Sequence, residues 1–190
     1  MTAILTSTGV VALAEMGDKT QLLAIVLATR FRAPFAVIAG ILVATLANHA
    51  LAAWAGSALA WWFDGALFRY AVALSFIAMA AWTLVPDKLD DVQAGPGRYG
   101  AFLTTLVAFF IVEIGDKTQV ATIALGARFD SVAAVTIGTT LGMMLANVPA
   151  VFLGQKLVDR VPLRTVHRVA AGLFLVMGLW LAADTAGWVV

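Results

Sequence analysis

Two seven-residue stretches decide how this chain folds: Glu15-Met16-Gly17-Asp18-Lys19-Thr20-Gln21 and Glu113-Ile114-Gly115-Asp116-Lys117-Thr118-Gln119. They lie 98 residues apart, and the offset holds without a gap well beyond them. Arg30-Phe31 meets Arg128-Phe129, Gly40 meets Gly138, and Gly56 meets Gly154. Phe76, Met79 and Trp82 meet Phe174, Met177 and Trp180. Each charged stretch interrupts a long apolar run, so the chain reads as two copies of a unit with a polar break in its first helix.

The solvent of that unit follows from composition. Of 190 residues, 62% are hydrophobic and only 12% charged, about half the charge of a soluble domain. Too few polar residues remain to cover a surface with water-facing groups. Burial of the apolar runs as core helices of a large soluble protein fails on length, because the chain is too short to surround them. A net charge of +1 excludes a nucleic-acid binder, which needs a basic patch. Zero Cys removes disulfides, thiolate metal sites and Cys nucleophiles. This balance excludes a soluble globular enzyme, and neither enzyme activity nor a prosthetic group is expected.

A spanning helix takes roughly 20 apolar residues, so about six spans fill the chain. They are expected near 2–29, 35–60, 70–85, 101–127, 132–153 and 169–186, with Pro149 kinking the fifth. Residues 1–85 form the first repeat, 86–100 a polar linker and 101–190 the second repeat. Met1 to Val11 carries no basic residue, unlike a cleavable signal peptide, so the first span reads as retained. Trp61 and Trp62, beside Asp64 and Arg69, suit headgroup depth.

An odd number of spans per repeat forces the second copy to enter the membrane from the opposite side. The expected fold is therefore an all-α integral membrane protein, six transmembrane helices arranged as two inverted three-helix repeats, with helices 1 and 4 broken near the midplane. That architecture is common among secondary transporters, whose site lies between the repeats. Duplication that merely makes a stable bundle is the plain alternative. With six spans, Arg30, Arg32, Lys88, Arg98, Lys156, Arg160, Arg164 and Arg168 share one side, while Arg69 and Arg128 share the other. The positive-inside rule puts the richer side in the cytoplasm, with the linker inside and both termini outside.

Glu15 and Glu113 are the only two glutamates, and each falls near mid-bilayer. Ionisable groups there are costly, face the bundle interior and mark pathways. Continuous helix would put Glu15, Asp18 and Lys19 on one face, and Glu113, Asp116 and Lys117 likewise. Gly17 and Gly115 weaken the helix at that point and allow the backbone to unwind. Converging by symmetry, the two copies offer the carboxylates of Glu15, Asp18, Glu113 and Asp116 as cation ligands. Lys19 and Lys117 serve as charge partners, with Thr20, Gln21, Thr118 and Gln119 lining the site. One divalent cation or two protons would neutralise the formal charge of this set. An all-oxygen donor set suits a hard cation such as Mn²⁺, Ca²⁺ or Mg²⁺. The bland reading is an internal i, i+4 Glu–Lys bridge in each copy, but an apolar substitute would be cheaper.

The doubled Glu-x-Gly-Asp-Lys-Thr motif resembles that of the Gdt family of divalent-cation/proton exchangers, which includes the bacterial manganese exporters of the MneA type. The resemblance covers nearly the whole chain. It implies a transporter of manganese and calcium whose motif acids bind the cation, here Glu15, Asp18, Glu113 and Asp116. The small size and short linker resemble the bacterial members, which implies the inner membrane. The expected activity is export of Mn²⁺, and also Ca²⁺, in exchange for protons by alternating access. An exporter of small amino acids or metabolites is the runner-up, and a non-transporting assembly factor a third class. The expected partners are the bilayer and the cation, and one chain suffices for the site.

Other polar residues read more plainly. Asn48 and Asn147 serve helix packing first and site lining second. His49 has Asn147 at its offset position; it reads as an interior polar contact before a ligand, and could pass protons. His167, between Arg164 and Arg168, reads as an interfacial group facing anionic lipid. Gly40, Gly56, Gly138, Gly142 and Gly154 allow close helix approach. Asp87, Asp90 and Asp91 read as a solvated loop.

Overall fold

In the computed structural model each motif copy ends one helix and starts another. α1 (Thr2–Glu15) stops at the first glutamate and α2 (Lys19–Phe31) begins at the first lysine. α5 (Gly100–Glu113) and α6 (Lys117–Arg128) divide at the same place in the second copy. The break has one geometry in both. Gly17 and Gly115 take φ +82° and +79°, a left-handed conformation that costs a side-chain-bearing residue strain. Asp18 and Asp116 follow at φ −77° with ψ 165° and 163°. The Asp18 and Asp116 N–H groups donate to the Glu15 and Glu113 carbonyls, both at 3.1 Å. The helix therefore does not run through the motif, and Glu, Asp and Lys do not share one continuous helical face.

The structure describes residues 1–63, 65–85, 100–129, 131–154 and 162–188. Asp64, the linker acids Asp87, Asp90 and Asp91, and Lys88, Arg98, Lys156 and Arg160 lie outside them. The remaining helices are α3 (Pro34–Trp62), α4 (Ala66–Thr83), α7 (Val132–Leu153) and α8 (Leu163–Thr185). These four are long and apolar enough to cross a membrane; α1 and α5 are shorter apolar helices. No strand occurs among the described residues. Large apolar side chains such as Leu51, Trp54, Leu67, Leu74, Ile111, Leu145 and Val176 are exposed, as a lipid-facing surface requires and a water-facing one avoids.

Packing repeats the sequence offset. α1 lies on α7 and α5 on α3. A Cβ on Gly138 would sit 2.7 Å from the Ile4 carbonyl oxygen, and one on Gly40 at 2.7 Å from that of Phe102. Both pairs are the same contact, moved by 98 positions. α4 packs on α8, where the Phe76 and Phe174 rings stack with centroids 6.4 Å apart. Arg30 and Arg128 lie over the rings of Phe31 and Phe129.

Two helices begin earlier than their apolar runs. α4 starts after Gly65 (φ +117°) and α8 after Pro162, so Arg69, Arg164, His167 and Arg168 are helical. Lys and Arg mark where lipid ends, whereas a helix continues to a backbone breaker. In α4 this places Arg69 in an ion pair with Asp184 of α8. Pro149 sits inside α7, where it withholds the N–H that would bond to the Leu145 carbonyl.

Candidate metal site

The four motif acids are all buried: Glu15 and Glu113 are fully inaccessible, Asp116 is 3% and Asp18 4% exposed. Glu15, Asp18 and Asp116 bring carboxylate oxygens within 4.8 Å of one another. Ca²⁺–oxygen bonds of about 2.3–2.6 Å put the ligands of one ion at most about 5 Å apart, so this cluster has the size of a cation shell. It draws on both copies, with two acids from the first and one from the second.

Each acid is placed by the break. Asp18 and Asp116 occupy the N-cap positions of α2 and α6, yet neither side chain caps its own helix. The capping work falls to the glutamines one turn on. Gln21 Oε1 accepts from the Gly17 N–H at 2.9 Å, and Gln119 Oε1 from the Gly115 N–H at 2.7 Å. A glutamine at N3 reaching back in this way resembles a capping box displaced by one residue. It spares the aspartates for the site. Gln21 Nε2 also donates to the Ala146 carbonyl of α7 at 2.9 Å, in the turn that Pro149 loosens. The glutamines thus hold the break in shape, their amide oxygens being occupied by backbone.

Hydroxyls and ammoniums complete the network. Thr20 Oγ1 donates to Glu15 Oε2 at 2.6 Å. Thr118 Oγ1 lies 3.3 Å from both Glu113 Oε2 and Asp116 Oδ2. Lys19 Nζ pairs with Asp116 Oδ1 at 2.7 Å, crossing from one copy to the other. Lys117 Nζ donates to the Val85 carbonyl at 3.0 Å, just past the end of α4.

The sequence profile of the family described as "Divalent cation/proton antiporter GDT1" matches residues 3–91 and 101–188. The chain belongs to the GDT1 family. It is a membrane cation transporter and not an enzyme. It is 50% identical over 180 residues to a Vibrio cholerae protein named "Putative manganese exporter", covering 94% of this chain and 90% of the relative. It is 25% identical to a GDT1-like protein of Synechocystis sp., over 92% of this chain and 93% of the relative. A GDT1-like protein of Schizosaccharomyces pombe is 30% identical over 79 residues, 42% of this chain and 30% of the relative. No solved structure matches the chain.

Around this GDT1 site, residues outside the motif take unequal parts. Asn48 of α3 donates to the Phe110 carbonyl of α5 at 3.1 Å, a contact between helices. Asn147 of α7 bonds within its own helix, to the Met143 carbonyl at 3.1 Å, and its Oδ1 is buried without a hydrogen bond. His49 is fully buried, with Nε2 4.0 Å from Glu113 Oε2. His167 departs from the lipid-facing role its neighbours suggest. Its Nε2 lies 2.8 Å from the Met16 carbonyl, and Leu163 in the same helix covers Gly17. The break exposes a carbonyl that α1 no longer bonds, and α8 supplies the partner. Nothing in the sequence signals this contact, since it joins residues 151 positions apart and the residue 98 positions before His167 is Arg69.

Proposed function

We propose that this GDT1-family protein exports Mn²⁺, and also Ca²⁺, from the cytoplasm in exchange for protons, by alternating access at the paired motifs. The observation that carries the reading is the convergence of Glu15, Asp18 and Asp116 oxygens within 4.8 Å, with Glu113 joined to Asp116 through Thr118. Buried carboxylates in such proximity repel one another and call for a positive occupant. Lys19 fills part of that need through Asp116; a divalent cation, or protons, fill it in the other states. Protons and metal compete for the same oxygens, which is the coupling an exchanger requires.

The proposed frame is six spans in two inverted repeats, residues 1–85 and 101–190, in a bacterial inner membrane with both termini outside. α1 with α2, and α5 with α6, each form one broken span. The shared break geometry and the 98-residue repetition of helix contacts support this frame. α3 and α6 press together near their C-terminal ends, where a Cβ on Gly56 would lie 2.0 Å from the Ile123 carbonyl oxygen. Gly154, at the matching place on α7, has no described atom within 4 Å of such a Cβ.

The test uses the full chain in proteoliposomes loaded with a Mn²⁺-sensitive dye. An imposed pH gradient should drive Mn²⁺ flux, and the flux should collapse the gradient. Wild-type rates in both Glu15→Gln and Glu113→Gln would overturn the site, and flux of amino acids without any of metal would overturn the reaction.

A further inference from the structure

We propose that His49 is a nitrogen ligand of the transported cation, acting beside Glu113, and that it sets the preference for a transition-metal ion over Ca²⁺ and Mg²⁺. The inference rests on the cation-transport site described above and concerns which ion that site selects.

Three observations meet at this residue. The imidazole is fully buried in α3, and neither Nδ1 nor Nε2 makes a hydrogen bond. Its neighbour Asn48 finds the Phe110 carbonyl, and its repeat counterpart Asn147 finds the Met143 carbonyl. A polar ring buried without a partner is unfavourable, so a bare packing role explains His49 poorly. The nearby Glu113 also keeps one oxygen, Oε1, buried without a hydrogen bond.

The spacing completes the case. His49 Nε2 and Glu113 Oε2 are 4.0 Å apart, too far for a hydrogen bond. With metal–ligand bonds of about 2.1 Å, two donors on one ion lie about 3.0 Å apart at right angles and about 4.2 Å apart when opposed. The pair fits a shared ion without moving closer. Thr118 joins Glu113 to Asp116, so an ion here adjoins the Glu15, Asp18 and Asp116 cluster. Imidazole suits first-row transition metals, whereas Ca²⁺ and Mg²⁺ take oxygen ligands. The motif itself contains no nitrogen donor of this kind; the imidazole arrives from α3, and only in one repeat. Selectivity then comes from the place where the two copies differ.

The experiment is pulsed electron paramagnetic resonance of the purified full chain loaded with Mn²⁺, with and without ¹⁵N-histidine. Directly bound imidazole nitrogen should modulate the echo and change frequency with the label. The chain has two histidines, so the signal should vanish in His49→Asn and persist in His167→Gln. His49→Asn, which copies the second repeat, should also lower the ratio of Mn²⁺ to Ca²⁺ affinity by about 10-fold or more. A Mn²⁺-loaded wild type without histidine modulation overturns the proposal whether or not the variant folds, as does a His49→Asn protein that keeps its nitrogen signal or its affinity ratio. If instead Glu15→Gln and Asp116→Asn bind Mn²⁺ as tightly as wild type, or wild type binds none, the cation-site reading fails and takes this inference with it.

Discussion

The two motif copies share six of their seven residues and the backbone angles of the glycine and aspartate at the break, yet they make different bonds. In the first copy Thr20 donates to Glu15 at 2.6 Å; in the second Thr118 lies 3.3 Å from both Glu113 and Asp116. Lys19 reaches across to the other copy, while Lys117 turns to the backbone at the end of α4. Gly17 is roofed by Leu163, and Gly115 has no described atom within 4 Å of an added Cβ. Identical parts in unequal surroundings are what a rocking two-fold machine holds at any instant. The proposed cycle would exchange these surroundings, with each copy taking the role the other has now.

Substitutions at matched positions break or sharpen that comparison. The largest effect is expected at Asp116, which serves the cluster, Lys19 and Thr118 at once. Asp116→Asn should weaken Mn²⁺ binding by about 100-fold or more, and Asp18→Asn by less, as titration calorimetry of the purified variants would measure. Equal losses would mean that the copies are already equivalent in solution.

Lys19 comes next. Lys19→Gln leaves a buried carboxylate without its cation, which costs up to about 3 kcal/mol, discounted because Lys19 is partly exposed. The metal-free protein should melt several degrees lower, and saturating Mn²⁺ should recover most of the loss. Lys117→Gln should show a smaller loss and little recovery by metal. A third pair tests the breaks. Gly17→Ala and Gly115→Ala each force a side chain into left-handed backbone, worth about 1–2 kcal/mol. Gly17→Ala should cost more, because its Cβ would meet Leu163 at 2.6 Å. Adding Leu163→Ala should bring the two melting curves together.

The smallest effect is expected from His167, read against the pH dependence. Raising pH strips protons from carboxylates that must be deprotonated to bind metal. Apparent Mn²⁺ affinity should therefore rise with pH, by up to about 10-fold per unit for each proton displaced. His167→Gln should shift that profile little, since its ring holds a backbone carbonyl and not a site oxygen.

Much of this is legible in the amino-acid sequence. The 98-residue offset carried over to helix contacts, aromatic stacking and the φ of Gly17 and Gly115. The helix interruptions followed from glycine beside charge in apolar runs. What the sequence could not separate was the behaviour of two like motifs: equal residues predict equal bonds, so neither the crossing of Lys19 nor the turn of Lys117 had a signature. The starts of α4 and α8 were hidden for another reason, because lipid boundaries and helix boundaries obey different residues. Gln21 and Gln119 read from sequence as site lining; that their oxygens accept from the Gly17 and Gly115 N–H groups has no sequence signal, since an unwound backbone creates needs that a continuous helix lacks.

The bond from Lys19 to Asp116 also bears on ancestry. A chain of residues 1–85 alone holds Glu15, Asp18 and Lys19 but not Asp116. In the inverted frame, a single-unit ancestor could build this cluster only by pairing two subunits, one inserted each way. Fusion makes that pairing compulsory and ends the need for a dual insertion. It also releases each half to specialise, and His49 opposite Asn147, or His167 opposite Arg69, records how far the two have since diverged.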